Sequence, residues 1–159
     1  MGLYDFTFYD LIARNAGCFG DRSAWFEVDA ENSLTFFQIK EMVDRLAFGL
    51  QATGIKKGDR IGVLGKNSFE YFLLYGAAAA LGAILLPLNW RLSVEEIKYN
   101  LKDCDPKALF LDTEFKNLVR GLTSDLSAVK SYYTFKDEGD IFLGFDDLMN
   151  NTGQFEAED

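Results

Sequence analysis

Residues 60–88 read RIGVLGKNSFEYFLLYGAAAALGAILLPL, and this stretch decides the fold. It opens with a strand expected at Arg60 to Leu64, directly after the turn Lys57-Gly58-Asp59. Ser68 is placed to cap a helix, because its hydroxyl can accept a backbone N–H of the first turn. That helix carries Phe72, Leu73 and Ala77 and runs to Gly82. Residues 83–88 follow without a polar side chain, the pattern of a strand buried on both faces of a helix-covered parallel sheet. The uncharged run at 72–88 reaches 17 residues, the lower edge of a membrane-crossing length. Gly82 and Pro87 divide it, so it reads as helix then strand, and no membrane span is expected.

The same alternation continues downstream. Ser93 and Glu96 have capping-box spacing, and the helix behind them carries Val94, Ile97 and Leu101. A strand at 108–111, a helix with Phe115, Leu118, Val119 and Leu122, and a strand at 132–135 complete a β-α-β-α-β-α-β order. This predicts an α/β fold with a mostly parallel sheet and right-handed crossovers.

Upstream, Thr7 can cap a helix to about Gly17 whose apolar side is Phe8, Leu11 and Ile12. Strands at 24–28 and 33–36 flank a turn at 29–32, a short N-terminal β-hairpin. Thr35 and Gln38 form a second capping box. Behind it Ile39, Met42, Val43, Leu46, Ala47 and Leu50 fall on one helical stripe. Gly54 stands where a left-handed cap belongs. The organisation expected is one domain over 1–150, with 151–159 an acidic tail or truncated linker.

Composition narrows the function. With 159 residues, 48% of them hydrophobic and 15% aromatic, folding buries about 68–70% of the unfolded surface. So much aromatic area exceeds what one small domain hides, and self-association through exposed apolar surface is expected. The formal charge is −9. Residues 1–135 hold 15 basic and 17 acidic side chains, whereas 136–159 hold Lys136 against eight acids. The acidity thus belongs to the last stretch, read as solvated or as an exit linker, and no basic field exists for nucleic acid or an anionic membrane. The chain contains no His, which excludes Ser-His-Asp and Cys-His nucleophiles and His-containing zinc sites. Cys18 and Cys104 match no metal spacing and read as free thiols of a reducing, cytoplasmic compartment. The first residues have neither the basic nor the apolar segment of a secretory signal.

Two segments invite a ligand. Gly62-Val63-Leu64-Gly65-Lys66-Asn67-Ser68 lies between strand and helix. A phosphate-binding loop needs four residues between its glycines and a hydroxyl residue directly after the Lys; here two separate them, and Asn67 intervenes. It reads as a strand end entering a capped helix. Asn89-Trp90-Arg91 follows a strand's carboxyl end, the side on which open α/β sheets bind ligands; alternatively Trp90 only packs over the core edge. Glu95-Glu96 and Asp103 with Asp105 read as solvated helix faces.

Taken in order, these segments resemble the adenylate-forming family of acyl-CoA synthetases, luciferases and peptide-synthetase adenylation domains. Leu34-Thr35-Phe36-Phe37-Gln38-Ile39 is similar to the family's early Leu-Thr-Tyr-x-Glu-Leu segment. Residues 45–50 and 54–61 resemble its next helix and Gly-Asp turn, and Lys66-Asn67-Ser68-Phe69-Glu70-Tyr71 its Asn-Ser-x-Glu segment. Residues 81–92 resemble its Gly-Ala-x-x-x-Pro-Leu-Asn-x-Arg stretch. The resemblance implies part of the large N-terminal domain of an AMP-forming carboxylate–CoA ligase, which makes an acyl-adenylate from ATP and passes the acyl group to CoA. ATP, Mg2+ and CoA are implied for such an enzyme, and the rest of the ligase as a partner. It also implies Arg91 as a contact to a CoA phosphate, and Pro87-Leu88-Asn89 favours the CoA-ligase branch. The family's phosphate loop, adenine motifs and catalytic Lys find no match in these 159 residues. The chain is therefore expected to act as scaffold, with no catalytic or metal-binding residue, inactive alone and holding none of those cofactors by itself. A free-standing α/β module binding a nucleotide or CoA is the alternative.

Overall fold

The computed structural model describes residues 6–28 and 32–150. The hairpin turn predicted at 29–32 lies almost wholly outside them, and the acidic tail at 151–159 entirely so.

Helix α1, Phe8–Phe19, starts at Thr7, whose side chain accepts the Asp10 amide while the Asp10 carboxylate returns the bond. Strands β1, Ser23–Glu27, and β2, Asn32–Thr35, pair antiparallel as the expected hairpin. Helix α2, Phe36–Ala52, opens on the Thr35–Gln38 capping box. Its stripe is buried as the spacing predicted, with Val43, Leu46, Ala47 and Leu50 wholly inside and Met42 at the margin.

Next come β3, Arg60–Leu64; α3, Phe69–Leu81; β4, Ile84–Leu88; α4, Val94–Cys104; β5, Ala108–Leu111; α5, Lys116–Leu122; and β6, Ser131–Thr134. The alternation read from sequence is thus present. Gly82 ends α3 at φ 64°, a left-handed conformation that a side chain resists. The chain continues into β7, Phe142–Gly144, and α6, Phe145–Met149.

The five strands form one parallel sheet in the order β4-β3-β5-β6-β7. Alternate residues feed two cores, because successive side chains of a strand point to opposite faces. Ile61, Val63, Ala108, Phe110 and Tyr133 meet α1, α2, α3 and α6 on one face. Leu64, Leu88, Leu109, Leu111 and Phe142 meet α4 and α5 on the other. Each fully buried large aliphatic or aromatic side chain contributes about 1.5–3 kcal/mol, so both faces hold the sheet firmly.

Three expectations are corrected. Residues 84–88 are not a strand buried on both faces but the sheet's edge, and Ile84 is 53% exposed. The Ile84 amide donates to Asp59 O, on the β3 side, so the alternating amides of Leu85 and Pro87 point outward. Proline's missing N–H costs no ladder bond there, which is why an edge strand tolerates it. On α1 the inward residues are Ile12 and Ala16, whereas Phe8 and Leu11 are 39% and 38% exposed. Finally, residues 136–150 are not simply a solvated run. Phe142, Phe145 and Leu148 are buried, while Asp137 and Asp140 turn at positive φ with exposed side chains.

Candidate functional site

The strand order is the 2-1-3-4-5 arrangement of a doubly wound sheet, counting from β3. Such sheets bind ligands at the carboxyl ends of their strands, where the connections diverge to opposite sides. Here that switch point lies between the ends of β3 and β5, and the half-buried Asp112 carboxylate lines it beside an opening of about 310 Å3 bordered by Ser68, Thr113 and Phe135. Asp112 follows β5, and its Oδ2 accepts the Lys66 amide at 2.7 Å. A side chain at Gly65 would stand 3.1 Å from the same carboxyl carbon, so glycine admits it. The amide that a phosphate would need is taken, and the occupant is negative. Ser68 accepts the Tyr71 amide as the helix cap. The glycine loop is therefore a strand end entering a capped helix, as read from its spacing, and with its Lys66 amide bonded to Asp112 it lacks the backbone cradle of a phosphate loop.

A second opening lies on the other side of β3. Gly65, Lys66, Asn67 and Tyr71 face Pro87, Leu88, Asn89, Trp90 and Arg91 across a cleft of about 470 Å3. Trp90 is half-buried against the α4–α5 core, so its packing role is real. It also carries two cations: the Arg91 guanidinium carbon is 4.2 Å from the indole centroid and Lys66 Nζ is 5.1 Å away. Such contacts are worth about 0.5–1 kcal/mol at exposed sites. Asn89 Oδ1 accepts the Arg91 amide at 3.1 Å, which fixes the turn after Pro87. Lys66 Nζ also pairs with Glu114 at 2.8 Å, both side chains being about half exposed. Burial, then the field of Tyr75, pushes the Tyr71 phenol up to about 12. Tyr71 therefore stays protonated at neutral pH and can donate or accept a hydrogen bond, but it is no general base.

The remaining acidic candidates do not converge. Glu96 returns its carboxylate to the Ser93 amide and hydroxyl, and those bonds hold it below the usual carboxylate range. Glu95 and Asp103 are exposed, and Asp105 caps α4 in a left-handed conformation. Among the described residues no three His, Cys, Asp or Glu side chains are grouped to hold a metal ion. No described helix is long and apolar enough to cross a membrane. Sequence reasoning singled out Trp90 and Arg91, which the structure brings together. It missed Asp112 and Glu114, whose only signal was an acid directly after the buried run at 108–111.

A family model for the AMP-binding enzyme family matches residues 12–145. The chain is 40% identical over 88 residues to a fatty acid–[acyl-carrier-protein] ligase from Streptomyces coeruleorubidus, covering 55% of this chain and 17% of that protein. It is 32% identical over 123 residues to the indoleacetate–CoA ligase of Aromatoleum aromaticum, covering 77% of this chain and 24% of that one. The chain thus spans a quarter or less of either relative's length. A provisionally assigned long-chain-fatty-acid CoA ligase from Rhodopseudomonas palustris superposes with a TM-score of 0.91 at 39% identity, over 99% of this chain and 39% of that chain. The five-stranded sheet, the helices capped by Thr35, Ser68 and Ser93 and the motifs of residues 34–92 fall inside the matched span, and on that basis the chain belongs to the AMP-binding enzyme family.

Proposed function

We propose that this chain is the scaffold part of an AMP-forming carboxylate–CoA ligase, inactive by itself in acyl-adenylate formation. The observation that carries the proposal is the agreement of fold and family over residues 12–145, with the Lys66 amide at the switch point already bonded to Asp112. The whole enzyme would use ATP, Mg2+ and CoA in the cytoplasm, with the rest of the ligase supplying the groups that surround the phosphates. Within this part, Arg91 is the proposed contact to a CoA phosphate, since a guanidinium suits a phosphate's paired oxygens. Its exposed position makes that contact weak, on the order of a millimolar Kd. The loop at 62–68 offers ATP no comparable contact, because it lacks phosphate-loop spacing.

Amide NMR spectra recorded during titration with CoA, ATP and AMP test this. CoA is expected to shift signals around Trp90 and Arg91 with a weak Kd that Arg91→Ala raises about tenfold. ATP and AMP are expected to leave the 62–68 loop unmoved. The second reading, a free-standing nucleotide-binding module, is favoured by the cations around the cleft. It requires micromolar ATP binding that is lost in Lys66→Ala, and that result would replace the scaffold reading.

The exposed aromatic side chains near α1 and the hairpin, among them Phe8, Phe19, Phe26 and Phe37, support self-association. Sedimentation velocity should show a weight-average mass that rises with concentration; a single 17.9 kDa species at high concentration contradicts it.

A further inference from the structure

The sequence reading gives Lys66 no binding role: it enters there only in the failed phosphate-loop match and at the head of the Asn-Ser-x-Glu segment. Its backbone is anchored by the amide bond to Asp112, so only its flexible stem can move. The ammonium rests at one rim of the cleft, 2.8 Å from Glu114 and 5.1 Å from the Trp90 ring. Arg91 holds the same indole from its own side, at 4.2 Å. Two cations thus share one aromatic anchor beside one opening, and only one of them has a carboxylate partner: among the described residues no ion pair engages Arg91. An anion entering the cleft would meet Arg91 at once and could draw Lys66 away from Glu114.

We infer that Lys66 is a second cation for the phosphate-bearing ligand of this cleft, and that Glu114 restrains it by competing for the ammonium. The inference rests on the reading of Arg91 as a CoA phosphate contact and adds a specificity element to that site. Lys suits the part, because its compact charge on a four-carbon stem can exchange partners without a fixed bidentate geometry. The exposed Lys66–Glu114 pair is cheap to break, since such pairs contribute less than about 1 kcal/mol.

The test is a double-mutant cycle read by NMR titration of the whole chain with CoA, and with ATP and inorganic phosphate in parallel. Lys66→Met is expected to weaken CoA binding about tenfold, as loss of a charge-assisted hydrogen bond would. Glu114→Gln is expected to tighten it about threefold by releasing the ammonium. Combining the two should abolish the tightening, because Glu114 acts through Lys66. If the tightening persists without Lys66, Glu114 acts as a general negative field and the inference is overturned. The same holds if inorganic phosphate binds as well as CoA in every variant. If Arg91→Ala weakens CoA but Lys66→Met does not, Lys66 drops out while the Arg91 reading survives. If the unaltered chain shifts no signal with CoA, both fall together.

Discussion

Phe110→Ala is expected to lower the stability of this domain by about 3–5 kcal/mol, the cost of truncating a fully buried aromatic residue. Phe110 lies in β5, the central strand, with every residue of that strand buried. Its ring stacks on Tyr133 at 4.7 Å and lies 6.2 Å from Phe135 and 6.3 Å from Phe145. The cavity would open where β5, β6 and α6 meet, and these elements cannot close over it without breaking the parallel ladder. Total stability of a domain is about 5–15 kcal/mol, so this one change removes a large share. At this size the melting temperature should fall by on the order of 10 °C. Phe26→Ala is the matched control: its ring is 60% exposed, and a surface change of that kind stays within about 0.5 kcal/mol. Thermal and urea unfolding of the two variants check the comparison. A loss below about 1 kcal/mol for Phe110 would mean that the two-sided core is wrongly assigned.

The helices were the legible part of this fold. Their caps are local chemistry: Thr7, Thr35, Ser68 and Ser93 each stand just before an apolar stripe, and each caps its helix through a backbone amide. Depth in the sheet was less legible. The runs at 84–88 and 108–111 look alike as strings, but strand order puts one at the edge and the other at the centre. Only Pro87 marked the difference, through its missing N–H. Strand β7 and helix α6 escaped because they are three and five residues long. The surrounding acids also masked the buried triplet Phe142, Phe145 and Leu148.

The site divided in the same way. Trp90 and Arg91 are neighbours in the chain, so a sequence reading finds them together. Asp112 and Lys66 are 46 positions apart, and the parallel pairing of β3 with β5 is what brings them into contact. That contact takes up the Lys66 amide and sets a carboxylate at the switch point. Loop length excludes a phosphate loop independently, because only two residues separate Gly62 from Gly65.

The most direct check of the whole account is ATP–pyrophosphate exchange by this chain alone, with Mg2+ and a panel of fatty, aromatic and short-chain carboxylates. The largest functional effect expected is a complete absence of signal. Positioning and charge stabilisation at the transferring phosphorus supply most of the rate in such reactions; among the described residues the Lys66 amide is taken up by Asp112 and no three His, Cys, Asp or Glu side chains are grouped to hold a metal ion. Exchange indistinguishable from a protein-free blank for every carboxylate is the predicted result. Carboxylate-dependent exchange above that blank, reproduced by independently purified protein, would contradict the scaffold assignment.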